Sequence, residues 1–231
     1  MRRTAKQLMT IALALFAGEA SAQDGRPAIA VLPFADGGSY GQDKDSFEAL
    51  ETGIQAVLLS ELARNPAVRT VERAATRRIL GEHDPAARRR VDAATAAKVG
   101  EVARARYTIF GSFVDLYGRF RLNARIVDVQ TGAILKVVSN DDPKLQDRQH
   151  LHQIIQNVAG RILEDTGVPA LPKDAAAPGA IPTDALTLYS RGLVAEDRGD
   201  RAAAAGHYRK ALEAFPEYAE AREGLRRTGA S

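Results

Sequence analysis

The feature that most restricts this 231-residue chain is a register near its end: Leu188, Gly192, Gly199-Asp200, Ala204, Tyr208, Ala211 and Pro216. Small residues at 192, 204 and 211 stand where two antiparallel helices would cross, so the spacing predicts a helical hairpin with closely approaching backbones. Tyr208 would fill the gap between them. Gly199-Asp200 supplies the turn, and Pro216 is placed to start the next helix, where its missing N–H costs nothing. Units of this size, about 34 residues, bury their apolar faces only in stacks of about three. One and a half units over residues 184–231 must therefore lean on the rest of the chain, on a second copy or on another protein.

Upstream, residues 27–168 read as one α/β (α+β) unit. Ala28 to Phe34 is a short, nearly all-apolar run, which suits a strand buried on both faces. After a Gly-rich loop, Asp36 to Gly41, the residues Phe47, Leu50, Ile54, Val57, Leu58 and Leu62 recur at helical spacing, with Asp45 or Ser46 as N-cap. Val68 to Val71 predicts a short strand and Glu72 to Glu82 a helix. Asp92 caps a third helix, which is expected to bury Ala96, Val99 and Val102. Tyr107 to Leu116 and Arg119 to Val129 form a hairpin across Tyr117-Gly118, and Ala133 to Ser139 adds a strand. A last helix spans Gln146 to Asp165 and ends at Gly167. The order β-α-β-α-α-β-β-β-α predicts a mixed sheet with flanking helices: a parallel opening by crossover, then an antiparallel meander. Ile29, Val31, Phe110, Leu122 and Ile126 are expected under the helix carrying Leu50, Ile54 and Val57. Gly111, inside a strand, marks a bulge or a close backbone approach. Residues 169–183, rich in proline and alanine, read as a semi-stiff linker.

Residues 1–22 read as a secretory signal: Arg2, Arg3 and Lys6, then the apolar run Leu8 to Gly18, then Ala20-Ser21-Ala22 as the cleavage site. The expectation is a periplasmic mature protein starting near Gln23. The sequence has no cysteine, so there are no disulfides and no cysteine for a lipid anchor. No segment is long and apolar enough to span a bilayer. Of the formal charge of +3, the signal holds three cations and one carboxylate, which leaves about +1 and no case for nucleic-acid binding.

The ordered segments Ile29-Ala-Val-Leu-Pro-Phe34, Val71-Glu-Arg73 with Ile79-Leu80 and Glu82, Tyr107-Thr-Ile-Phe-Gly-Ser112, and Leu122 to Val129 with Thr131-Gly132 resemble the CsgG and TolB amino-terminal-like envelope domains, a group that includes LpoB-type activators. The resemblance implies an α/β domain of periplasmic assemblies that binds proteins and has no catalytic residues. CsgG itself is a lipoprotein pore. This sequence lacks both the cysteine and inserted segments of alternating residues long enough to cross a membrane, so the pore does not carry over. The C-terminal register resembles a tetratricopeptide repeat, from which Arg191 and Ala195 depart.

In that repeat family the partner groove falls here on Leu186, Tyr189, Leu193, Glu196 and Asp197. Tyr189 and Leu193 would give apolar contact, and the two carboxylates would select a basic or amide-bearing segment. The competing reading packs the same face against the α/β unit or a second copy. His150 and His152, two apart on a helix, point to different faces and read as solvated, so no metal site is expected. His83 and His207 stand alone. The loop 36–41 lacks the G-x-G-x-x-G order of a phosphate cradle. Arg88-Arg-Arg90 reads as a solvated charge run or a contact for an acidic partner. No G-x-S-x-G, H-E-x-x-H or carboxylate pair suggests catalysis, and no cofactor is implied. The functional expectation is a non-catalytic periplasmic adaptor of an envelope assembly or secretion system, with protein partners or a second copy. The alternatives are an LpoB-like activator of an envelope synthase and a module binding a small anion or nucleotide.

Overall fold

The computed structural model describes residues 25–41, 44–83, 91–140, 145–169 and 179–229. The signal segment with its cleavage site, Arg88-Arg-Arg90 and most of the linker lie outside the described residues.

The apolar run forms an interior strand of the sheet, β1 (Ala28–Asp36), paired in parallel with β2 (Arg69–Thr70) on one side and β3 (Tyr107–Leu116) on the other. The antiparallel strands β4 (Arg119–Asp128) and β5 (Ile134–Ser139) extend the sheet in the order β2-β1-β3-β4-β5, and β6 (Gln146–Asp147) pairs with the far end of β4. The parallel opening and antiparallel meander are thus both present. Pro33 sits inside β1 without breaking it because the register slips there, with Val31 opposite Ile109 but Phe34 opposite Gly111. A bulge is where a strand tolerates a missing N–H. Gly111 faces it, and a Cβ at that position would collide with the Phe34 ring and the Asn123 carbonyl.

Two cores form because the sheet is covered on both sides. Ile29, Val31, Leu122 and Ile126 pack under α1 (Lys44–Ala63) and α4 (Leu151–Asp165). Leu32, Phe110 and Val127 pack instead under α2 (Arg73–His83) and α3 (Ala93–Val102), against Ile79, Leu80, Ala96 and Val99. Phe110 therefore lies on the opposite face from the one expected. Neighbouring Ile109 points toward α1, and successive strand residues alternate.

Several boundaries also move. Asp92 caps α3 as expected, accepting from Thr95 N at 2.8 Å. Val102 is 50 % exposed, because α3 ends there and the chain turns away through Arg104 at φ 52°. Helix α1 already starts at Lys44, which leaves Asp45 in its first turn and Ser46 buried rather than capping. Residues 146–150, expected as helix, form β6 and a single 3-10 turn. Gln146 and Asp147 pair with Phe120 and Arg119, and the Asp147 carboxylate accepts from Gln149 N. Gly167, at φ 70°, terminates α4 as expected. On edge strand β5 the apolar Ile134, Leu135 and Val137 are exposed. The edge is blunted by a second register slip at Leu135, by Lys136 and by Arg161, which covers the Ser139 carbonyl.

The carboxy-terminal helices are α5 (Thr183–Asp197), α6 (Arg201–Ala214) and α7 (Ala219–Arg227). They belong to the same hydrophobic core as α1 and α4. The incomplete repeat leans on its own α/β unit, the first of the three supports open to it. Pro216 does not begin α7. It lies in the turn after α6, one residue past Phe215, where a proline stops a helix rather than starting one.

Candidate functional site

Gly192, Ala204, Tyr208 and Ala211 of the register meet inside the helical hairpin, while Pro216 departs from its expected place. Ala204, Tyr208 and Ala211 are fully buried, and Leu188 is half-buried against the same core. Gly199 turns at φ 80°, and Asp200 caps α6 through Ala203 N at 2.9 Å. The Tyr208 ring is clasped by Gly192 and Gly224, with no room for a Cβ at either. Tyr189 packs tilted against it, 5.9 Å from the Tyr208 centroid and 4.9 Å from that of Tyr218. Arg191, where the repeat family has an apolar residue, reaches across to donate to Ser46 Oγ at 2.9 Å. The departure serves the junction with α1.

The five groove residues are brought together, but their apolar members are not open. Leu186, Tyr189 and Leu193 are 0, 6 and 2 % exposed, and they join the core that α1 shares. The face reserved for a partner is filled by the chain's own first helix, as a lone hairpin requires. The carboxylates are engaged too. Glu196 accepts from Arg227 through both oxygens, at 2.8 and 2.9 Å, and from the Tyr208 hydroxyl at 2.5 Å. Burial pushes the Glu196 carboxyl up, but the bonds from Arg227 and Tyr208 outweigh it and hold it below the usual range. The Asp197 carboxylate receives two N–H donors from Arg73, at 2.6 and 2.9 Å, and forms an ion pair with Arg77 at 2.8 Å, while Arg77 donates to the Asp197 carbonyl at 3.1 Å. Burial lowers the Arg73 guanidinium, and Asp197 more than restores it.

What stays open is a cleft of ≈ 770 Å³ at the junction, walled by Ala56 and Leu59 of α1, Arg73 and Arg77 of α2, and the outer edges of Tyr189 and Leu193. That is a ligand-sized volume. Four of the five groove residues line it, Leu186 being the exception. The wall contributed by α2 was not legible in the sequence, since nothing in Arg73-Ala-Ala-Thr-Arg77 marks which helix it will face.

Other candidate groups are engaged within the fold. In the loop 36–41 the Asp36 carboxylate accepts from Gly38 N, Ser39 N and Ser39 Oγ, while Gly37 N and Tyr40 N donate to Phe113 and Asp115 carbonyls. Amides that could have held a phosphate are satisfied internally. His152 is not solvated as expected. It is 1 % exposed, with Nε2 3.1 Å from Glu61 Oε1 and Nδ1 accepting from Ile181 N at 3.2 Å. That bond ties the end of the linker to α4. Buried Asp115, which sequence reasoning missed, caps Gly118 N at 2.7 Å and pairs with Arg148 at 3.2 Å. Its signal was available: Asp115 falls in phase with inward-facing Ile109 and Phe113. Among the described residues no group of three His, Asp or Glu could hold a metal ion, and no helix is long and apolar enough to cross a membrane.

Comparison with known proteins bears on the first half of the chain. Residues 12–119 match the family model described as the curli production assembly/transport component CsgG, a stretch that takes in β1, α1, β2, α2, α3 and β3. The CsgG-like character inferred from the ordered segments therefore holds there. Among solved structures, the chain is similar to the LpoB C-terminal domain from Salmonella enterica, at TM-score 0.35 and 18% identity over 50% of this chain and 84% of that one. It is similar to TolB from Acinetobacter baumannii at TM-score 0.38 and 19% identity, over 64% of this chain and 30% of that one. The LpoB C-terminal domain from Escherichia coli gives TM-score 0.33 and 16% identity, over 49% of this chain and 79% of that one. A search of curated proteins gives no match.

Proposed function

We propose that this is a non-catalytic protein-docking component of the bacterial envelope, exported by its amino-terminal signal and acting in the periplasm. The observation that carries the reading is the junction cleft, where a CsgG-like domain and a repeat hairpin each supply one wall. The match to a family described by assembly and transport supports an envelope role. The absence of catalysis is part of the proposal. The buried ionisable groups Glu61, Asp115 and His152 are each paired within the fold, so none is held ready for a substrate. The test is site-specific photocrosslinking in intact cells. A crosslinking residue at exposed Ala74, on the cleft rim, should capture a discrete envelope protein, whereas one at exposed Glu213 on the outer side of α6 should not. Equal capture at both positions, or none at Ala74, overturns the reading.

A further inference from the structure

We propose that the junction cleft takes an acidic segment of the partner, an apolar side chain beside a carboxylate, and that Arg77 reads the carboxylate. This rests on the docking function above and adds the polarity of the partner, which is the reverse of what the sequence alone suggests.

The argument is one of charge matching inside the cleft. Glu196 is matched one to one by Arg227. Asp197 is shared by two guanidinium groups, Arg73 and Arg77, and one carboxylate neutralises one of them. The pair around Asp197 thus keeps a surplus positive charge, while Glu72 and Arg201 on the rim offset each other and the Glu220 carboxylate is bonded to Ser60. The surplus sits on Arg77. The Arg73 side chain is 16 % exposed and gives both its terminal nitrogens to Asp197. That of Arg77 is 41 % exposed, and its contacts with the Asp197 carboxylate and carbonyl both run through Nη1. Nε and Nη2 remain as a fork of donors, the geometry that receives a carboxylate bidentately. Ala56 and Ala63 leave space beside Leu59 and Leu193 for an apolar side chain next to that carboxylate. Arg77 also lines a neighbouring cleft of ≈ 590 Å³, but that one carries the carboxylates Asp36, Glu48 and Glu51, so an acidic segment held at Arg77 runs along the junction cleft and not into its neighbour.

The test is fluorescence anisotropy with two labelled synthetic peptides of equal length, one alternating leucine with glutamate and the other leucine with lysine. The proteins are the intact chain, R77Q and, as control, R209Q on the exposed side of α6. R77Q keeps the Arg73–Asp197 pair, and a melting curve reports its fold. The glutamate peptide should bind the intact chain and R209Q alike, with an affinity that falls as salt rises. R77Q should bind it about tenfold more weakly, the scale of one lost charge-assisted hydrogen bond. If R77Q does not fold, R77K replaces it; it keeps the charge but not the fork, and it too should bind more weakly than the intact chain. Equal binding by the Arg77 variant, no binding of the glutamate peptide, or tighter binding of the lysine peptide each overturns the proposal. Preference for lysine together with capture at Ala74 would leave docking intact and reverse its polarity, whereas loss of the Ala74 capture strikes the docking function itself.

Discussion

Gly53 of α1 lies directly against Ser190 of α5: a Cβ on Gly53 would overlap the Ser190 hydroxyl and come within 2.6 Å of its Cβ. This is a point of close approach in the seam that joins the hairpin to the α/β unit. Arg191 to Ser46 and Ser60 to Glu220 bond across the same seam. Glycine to alanine in a helix normally gains up to about 1 kcal/mol. Here Gly53→Ala should instead cost about 1–3 kcal/mol through overpacking. Ser190→Gly should recover part of that loss in the double variant, a coupling that a double-mutant cycle on chemical denaturation reads directly. A neutral Gly53→Ala would mean that the two helices do not meet there.

A second glycine test concerns Tyr208. Its ring is held between Gly192 and Gly224, while Gly206 on the same helix has nothing within 4 Å of where a Cβ would stand. Gly192→Ala and Gly224→Ala should each lower the melting temperature, since the ring is also hemmed in by Tyr189. Gly206→Ala should raise stability by about 0.5–1 kcal/mol. If all three behave alike in thermal melts, the clasp around Tyr208 is not the packing centre of the hairpin.

The backbone plan was legible because it depends on local patterns: the apolar run of β1, the Tyr117-Gly118 turn, the 192–204–208–211 register and the Asp92 cap. What stayed hidden depends on contacts distant in sequence. Only the pairing of β6 with β4 decides that Gln146 and Asp147 are extended rather than helical. His152 reads as a polar helix residue until Glu61, 91 positions away, is seen beside it. The groove carboxylates Glu196 and Asp197 face the junction, and the arginines that engage them come from α2 and α7, which no local pattern announces. Glu61 did leave a trace, since it stands seven residues after buried Ile54, on the same face of α1.

The two-sided sheet gives a test of side-chain direction. Ile126→Ala and Phe110→Ala both remove fully or almost fully buried side chains, so losses of about 2–5 kcal/mol are expected for each. Their couplings should differ. Phe110 should couple to Leu80, which shares its core, and not to Ile54, which lies in the other. Val137→Ala, at a position 52 % exposed, should be nearly silent. Coupling of Phe110 to Ile54 in a double-mutant cycle would return Phe110 to the α1 face.

The pH response of the fold should run through Glu61. With Ile181 N–H donating to His152 Nδ1, Nε2 is left to donate its hydrogen to Glu61. Burial pushes the Glu61 carboxyl up, but hydrogen bonds from His152, Arg64 and Gln156 outweigh it and leave the group below its ordinary value. A carboxyl depressed by folding stabilises the protein above its unfolded value, about 4.3, and that contribution is lost as pH falls through the lower folded value. Acid should therefore loosen the contact among α1, α4 and the segment at Ile181 that leads into the repeat. Glu61→Gln removes the charge at nearly constant shape and should cost about 1.5–3 kcal/mol at pH 7, as for a hydrogen-bonded buried carboxylate. Its stability should then change less than that of the natural chain over the acid limb. Urea titrations of both proteins from neutral pH down to about pH 3 make the comparison, through the carboxylate range. Parallel curves, offset but equal in slope, would show that the charge on Glu61 contributes nothing to folding and that the contact with His152 acts through shape alone.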